Sequence, residues 1–140
     1  MYSYDKLNRQ EKILYNGIEK WRFGYDPNGN VTTVTDTVGN LTSYTYDKSN
    51  RLLEEADGNN KLNYTYDGNG NNTSLIASTG TNQFTLGLTY NSLDQLINIS
   101  RNNSNLARYI YDERGNVTSI INSNATYTAK EYDDGNRLKS

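Results

Sequence analysis

The stretch YTYDKSNRLLEEADGNNKLNYTYDGNGN, residues 44–71, contains one short pattern twice. Tyr46 and Asp47 recur as Tyr66 and Asp67, and each pair follows a Tyr-Thr dipeptide. Tyr and Thr favour strands, whereas Asp, Asn and Gly favour turns. The stretch therefore predicts a strand and a turn that repeat at a short interval.

The same pattern runs along the whole chain. Seven copies align on a Tyr followed by Asp or Asn: Tyr4-Asp5, Tyr25-Asp26, Tyr46-Asp47, Tyr66-Asp67, Tyr90-Asn91, Tyr111-Asp112 and Tyr132-Asp133. The longest interval contains the small polar residues 78–82, which suit a lengthened loop. We therefore predict a single repeat array over residues 1–140, with repeats of about 21 residues.

Two repeat types alternate. The fourth and fifth positions after each Tyr are Asn8-Arg9, Gly29-Asn30, Asn50-Arg51, Gly70-Asn71, Asp94-Gln95, Gly115-Asn116 and Asn136-Arg137. The repeating unit is therefore a pair of about 42 residues.

Each repeat has the composition of a β-hairpin. The Asp can accept backbone N–H bonds from the residues just after it, and Gly or Asn three positions later tolerates positive φ. Apolar residues of the returning strand are three apart, as in Val31 and Val34, which strict alternation would place on opposite faces. A bulge beside the turn or burial of both faces would explain this spacing.

These residues resemble the YD repeat of the RHS family, whose pattern is roughly Tyr-x-Tyr-Asp-x-x-Gly-Asn/Arg. The resemblance covers essentially the whole chain. Asn91 replaces the Asp of the fifth copy, and Lys130 replaces the first aromatic residue of the seventh. The resemblance implies strips that form a hollow shell around a toxin polypeptide in bacterial RHS and insecticidal Tc proteins, and a barrel in teneurins.

We predict an all-β fold, a curved antiparallel meander of seven repeated hairpins with about fourteen strands. Curvature is expected because open twisted sheets rarely exceed about ten strands without curling or splitting. The residues predicted to define the repeats structurally are Tyr4, Asp5, Tyr25, Asp26, Gly29, Tyr46, Asp47, Tyr66, Asp67, Gly70, Tyr90, Tyr111, Asp112, Gly115, Tyr132 and Asp133.

Composition argues against catalysis and against several partners. Only 34% of residues are hydrophobic, so a large buried core is not expected. The net charge of -2 without a basic run argues against nucleic-acid binding, and no apolar segment is long enough to span a membrane. The chain has no His or Cys, the commonest residues of metal sites and nucleophilic catalysis. We therefore predict no enzyme activity, no catalytic residue, no metal and no cofactor.

Two short motifs have alternative interpretations. Residues 67–71 imitate the start of an EF-hand loop, but Asn72 stands where Gly is needed and Ser78 where the bidentate Glu should be. Residues 26–29 imitate the Asp-Pro-x-Gly motif near which some RHS shells cleave themselves. Both segments occupy the turn position of a repeat, which favours turn chemistry.

Trp21 lies on the same strand face as Phe23. An aromatic strip can bind sugar, but its alternation favours a core position. Choline-binding repeats also form hairpins, yet they carry Trp in every repeat, and this chain has one Trp.

The predicted function is a structural segment of a shell that encapsulates a toxin or effector polypeptide; the alternative is a cell-surface adhesin or glycan-binding strip. Inward-packed Tyr side chains would favour the shell, and exposed Tyr rows would favour the binding surface. The expected partners are neighbouring repeats of the same or another chain, an encapsulated polypeptide or a glycan. A secreted or cell-surface bacterial protein is expected, although residues 1–15 do not resemble a signal peptide. Open strand edges predict self-association, end to end or as a closed dimer.

Overall fold

The computed structural model describes residues 1–139, which form β-strands and turns. The strands are β1 Tyr2–Tyr4, β2 Gln10–Tyr15, β3 Ile18–Tyr25, β4 Val31–Asp36, β5 Leu41–Tyr46, β6 Leu52–Asp57, β7 Asn60–Tyr66, β8 Asn72–Thr79, β9 Asn82–Tyr90, β10 Leu96–Arg101, β11 Ser104–Tyr111, β12 Val117–Asn122 and β13 Tyr127–Ala129. Within residues 1–139 no helix is long and apolar enough to cross a membrane.

The 13 strands belong to one sheet in which their order follows the chain. This confirms the all-β meander of hairpins. By compactness the chain divides into two units, one of Met1–Tyr64 with Ala77–Gln83 and the other of Thr65–Ile76 with the chain from Phe84 onward. The curvature of the sheet and the single array over residues 1–140 stay predictions.

Each repeat places its Tyr at the end of a strand, immediately before the turn. Six strands, β1, β3, β5, β7, β9 and β11, end at the Tyr of a Tyr-Asp or Tyr-Asn pair. The seventh Tyr, Tyr132, forms only an isolated bridge to Leu138, so the final hairpin has no complete strands. Residues 1–139 thus contain thirteen strands rather than about fourteen, and Lys130 stands two positions before Tyr132, where the other repeats have an aromatic residue or Leu.

A β-bulge beside five of the turns explains the spacing of the apolar residues. In the second hairpin Tyr25 pairs with Val31 and Phe23 with Val34, and the register shifts between the two pairs. The extra residue is left unpaired, so Val31 and Val34 lie on the same face. Similar shifts occur beside the turns of the first, third, fifth and sixth hairpins. Of the two explanations from the sequence, the bulge is the observed one.

In each unit one face of the sheet carries the aromatic and aliphatic side chains. This Tyr face contains Trp21, Phe23, Tyr25, Val31, Val34, Tyr44, Tyr46 and Leu52 in the first unit, and Leu88, Tyr90, Leu96, Ile99, Tyr109, Tyr111, Val117 and Ile120 in the second. The opposite face is mainly small or polar, with Thr33, Ser43 and Thr45 in the first unit and Thr89, Ser100 and Ser119 in the second.

No side chain among residues 1–139 is fully buried. These residues therefore form no hydrophobic core. The core position predicted for Trp21 is therefore wrong: its side chain, in the middle of β3, is 45% exposed. The central Tyr side chains, such as Tyr46 and Tyr111, are half-buried between their neighbours.

Candidate functional site

The most regular feature of the molecule is the series of turns that follow the repeated Tyr residues. In the third turn one carboxylate oxygen of Asp47 accepts the backbone N–H groups of Ser49 at 2.8 Å and Arg51 at 2.9 Å. The other oxygen accepts Nε of Arg51 at 2.7 Å. The backbone N–H of Asp47 donates to the Arg51 carbonyl, and that of Asn50 donates to the Asp47 carbonyl. One aspartate therefore closes the entire turn.

The alternate repeats build the same turn with Asn in the fifth position. In the sixth turn Asp112 accepts the backbone N–H groups of Arg114 and Asn116, both at 2.9 Å. The Asn116 side-chain amide donates to the second carboxylate oxygen at 2.9 Å. We call the first, third, fifth and seventh turns Arg turns. Their fifth residues are Arg9, Arg51, Gln95 and Arg137, so the fifth turn belongs to this class although it carries Gln. The second, fourth and sixth are Asn turns, with Asn30, Asn71 and Asn116.

The fourth residue of all seven turns has a left-handed backbone. These residues are Asn8, Gly29, Asn50, Gly70, Asp94, Gly115 and Asn136, with φ between 58° and 98°. Gly adopts this conformation without strain, and Asn and Asp are the other residues that tolerate it best. The composition of this position therefore follows from the backbone.

Hydrogen bonding within the turns lowers the pKa of their aspartates. In the Arg turns, the backbone N–H of the fifth residue is the main cause of the lowered pKa of Asp47 and Asp133. In the Asn turns, the side-chain amide of the fifth residue is the main cause of the lowered pKa of Asp26, Asp67 and Asp112. These carboxylates are held ionised and occupied by structural bonds, which makes them poor proton-transfer groups.

The hydroxyl of the repeated Tyr links one repeat to the one before it. Tyr46 donates to the Val31 carbonyl at 2.8 Å, and Val31 is the first residue of the preceding returning strand. Tyr111 makes the same bond to the Leu96 carbonyl at 2.7 Å. Tyr25 and Tyr132 donate to the carbonyls of Gln10 and Val117. This bond was not predicted from the sequence, although the donor and acceptor lie 15 residues apart in all four cases.

Side chains also join neighbouring turns. Arg9 of the first turn donates to the Asp26 carbonyl of the second turn at 2.9 Å. Its guanidinium group lies 4.5 Å from the centre of the Tyr25 ring, within the range of a cation–π interaction. An Arg turn thus makes contact with both signature residues of the Asn turn that follows it.

Asn turns bind to the left-handed residue of the next Arg turn. The side-chain amides of Asn28 and Asn30 both donate to Oδ1 of Asn50, at 3.1 and 2.8 Å. In the second unit, Asn69 and Asn71 both donate to Oδ1 of Asp94 at 2.8 Å. The sixth turn bonds to the seventh in the same way, from Asn116 to Asn136. In these contacts the Asn turns supply the side-chain amide donors, and the next Arg turns supply the side-chain oxygen acceptors.

One turn at the opposite ends of the strands has the same chemistry. Asp36 accepts the backbone N–H groups of Val38 and Asn40, and the Asn40 amide donates to its second oxygen. Gly39 has φ of 89°. The role of Asp36 was not predicted from the sequence. The Asp-x-x-Gly-Asn spacing, shared with Asp112, was the available signal.

The structure places the predicted repeat residues in one series within each unit but forms no catalytic constellation. No group of three or more Asp, Glu, His or Cys side chains in residues 1–139 is arranged to hold a metal ion. A shallow depression lies beside the sixth and seventh turns, lined by Asp112, Arg114, Tyr132 and Asp133 among others. Asp112 and Asp133 already bond within their turns. The arrangement is one of mutual support between turns.

Comparison with known families and structures agrees with this repeat geometry. The teneurin YD-shell family model matches residues 1–119. No curated protein sequence matches the chain.

Two solved structures share the fold. The crystal structure of TcdB2-TccC3-Cdc42 has a TM-score of 0.76 and 20% identity, over 98% of this chain and 9% of that chain. The Tc holotoxin pore of Photorhabdus luminescens has a TM-score of 0.59 and 18% identity, over 84% of this chain and 8% of that chain. This chain therefore spans less than a tenth of the chains that it resembles.

Proposed function

The chain belongs to the teneurin YD-shell family, whose model matches residues 1–119, and we propose that it forms part of the wall of a shell that encloses a polypeptide. The role is architectural and non-catalytic. The bonded series of turns is the observation that carries this proposal, because it fixes the order of neighbouring hairpins where no hydrophobic core can do so.

The absence of a core in residues 1–139 supports a wall rather than a globular binding domain. A hairpin that exposes both faces cannot stabilise itself, and stacking neighbours is the usual way in which repeat proteins gain stability. The third repeat, for example, gains from its preceding neighbour a Tyr hydroxyl bond, a turn-to-turn bond and strand pairing. Each hairpin added to such a strip therefore adds to its stability.

The proposed partners are an enclosed polypeptide and other YD repeats that pair with the open strand edges. The structural relatives are named as Tc toxin components, which supports a secreted bacterial protein. Self-association through the edges belongs to the same proposal.

A graft tests the wall function. This chain would replace the structurally matching stretch of the TcdB2-TccC3 chain, and protease resistance of the accompanying Cdc42 polypeptide would be compared with that of the parent. We expect the graft to preserve the parent's resistance. The control graft carries Gly70→Val and Gly115→Val, which strain two turns and should lower it. Equal loss of resistance with both grafts would refute the wall function.

A glycan-binding strip is the second candidate, and the aromatic residues near the first edge favour it. Tyr2 is 59% and Trp21 45% exposed, and Ile13 pairs with both of them on the same face. A glycan array is the direct test. Binding that disappears in a Trp21→Ala variant would favour this function, and no binding would remove it.

A further inference from the structure

The first strand offers an edge that differs from the interior of the array in three respects. Tyr4 is 55% exposed, whereas its counterparts Tyr25 and Tyr46 are half-buried and donate to a carbonyl of the preceding repeat. Asn8 has the same left-handed conformation as Asn50, yet within residues 1–139 its side-chain oxygen accepts no hydrogen bond. β1 pairs only with β2.

The interior shows which kind of repeat satisfies these groups. Each acceptor equivalent to Asn8, namely Asn50, Asp94 and Asn136, is bonded by an Asn turn on its preceding side. An Arg turn offers a charged guanidinium group instead, and Arg9 directs its guanidinium group to a backbone carbonyl of the following turn. The two turn types therefore make different bonds to their neighbours.

We propose that the edge formed by Tyr4, Asn8 and β1 is a docking surface selective for a YD repeat with an Asn turn. The docked repeat would pair with β1, donate one or two Asn side-chain amides to Asn8 and accept the Tyr4 hydroxyl on the first carbonyl of its returning strand. This inference rests on the proposed shell function and adds a rule for the order of repeats.

The rule also bears on association between copies of this chain. End-to-end pairing would bring the seventh turn, an Arg turn with Arg137, against the first, which is also an Arg turn. Two Arg turns would then be adjacent, and Asn8 would lack its amide donor. The surface therefore disfavours end-to-end pairing of two copies and leaves the closed dimer as the proposed mode of self-association.

Two extended chains test the selectivity. In one, a copy of residues 23–43, a repeat with an Asn turn, replaces Met1; in the other, a copy of residues 44–63, a repeat with an Arg turn, does so. The last residue of each copy is then followed directly by Tyr2. In the unmodified chain the same two segments are followed by Tyr44 and Tyr64, so the repeat spacing is kept. We expect the Asn extension to raise the melting temperature by at least about 4 °C more than the Arg extension.

Asn8→Gly isolates the proposed contact, because Gly keeps the left-handed backbone and removes the acceptor. It should lower the melting temperature of the Asn extension by about 4 °C and leave the unextended chain and the Arg extension nearly unchanged. Asn50→Gly in the unextended chain supplies the reference for a bonded acceptor. Hydrogen exchange at Tyr2–Tyr4 gives a second readout, which should show slower exchange in the Asn extension only.

Equal stabilisation by both extensions, or an equal effect of Asn8→Gly in all three chains, would overturn the selectivity. The extension experiment concerns the order of repeats and the graft concerns protection of a polypeptide. A failure of one is therefore distinguishable from a failure of the other.

Discussion

The third and fifth turns reach the same geometry with different chemistry. The third uses Asp47, Asn50 and Arg51; in the fifth, the corresponding residues are Asn, Asp and Gln. In both, one side-chain oxygen of the first residue accepts two backbone N–H groups at 2.8–3.0 Å. The bond to the fifth residue changes direction: Arg51 donates to Asp47, but Asn91 donates to Gln95 at 2.7 Å.

The comparison separates what a turn requires from what varies. An acceptor in first position, a left-handed fourth residue with an acceptor side chain, and a paired fifth residue are common to both turns. The negative charge has moved from Asp47 to Asp94, so the charge itself is not a requirement of the turn geometry.

The largest effect is expected from a β-branched residue in fourth position. Asn50→Val and Asp94→Val should each destabilise the protein by about 2 kcal/mol, from left-handed strain and loss of the acceptor for two Asn amides. Chemical denaturation measures the change. Asn50→Gly, which keeps the backbone, should cost about 1 kcal/mol, and a cost equal to that of Val would mean that backbone strain is unimportant.

Loss of the first residue should be nearly as severe in either turn. Asp47→Ala and Asn91→Ala each remove an acceptor of two backbone N–H groups, and each should lower the melting temperature by roughly 5 °C. The double change Asp47→Asn with Arg51→Gln gives the third turn the pair found in the fifth, and it should cost clearly less than Asp47→Ala. A double variant as unstable as Asp47→Ala would show that the third turn needs its charge.

The Tyr hydroxyl should matter in the third repeat and not in the fifth. Tyr46→Phe removes a bond to the Val31 carbonyl and should cost about 1 kcal/mol. The Tyr90 hydroxyl makes no hydrogen bond within residues 1–139, so Tyr90→Phe should be nearly neutral. Thermal denaturation of the two variants compares them directly, and equal costs would contradict the hydroxyl bond as the cause.

Much of the hairpin architecture could be predicted because its determinants are local. The Asp at a turn and the left-handed residue three positions later act within five residues, so single repeats contain the signal. The spacing of Val31 and Val34 left open a bulge or burial of both faces, and the observed explanation is the bulge, which is also local.

The links between repeats could not be predicted from local chemistry. Tyr46 and Val31 lie 15 residues apart, and Asn30 and Asn50 lie 20 apart, so their contacts depend on strand register. The sequence showed the alternation of Arg and Asn but not which atom each side chain would meet. Trp21 was misplaced in a core because alternation identifies a face and does not tell whether another layer covers it.

The smallest effect is expected from acid, and it should distinguish the two turns most finely. Bonding to the Arg51 backbone N–H and side chain lowers the pKa of Asp47 below its ordinary 3.8, whereas Asn91 has no carboxyl group to titrate. A lowered pKa in the folded state means that the stabilisation is complete above the ordinary pKa and is lost as pH falls through the folded pKa. Between about pH 6 and about pH 2, hydrogen-exchange protection of the Ser49 and Arg51 amides should therefore fall relative to that of Leu93 and Gln95. Asp47→Asn should abolish this difference, and a parallel loss of protection in both turns of the unmodified chain would mean that acid acts on the whole protein and not through Asp47.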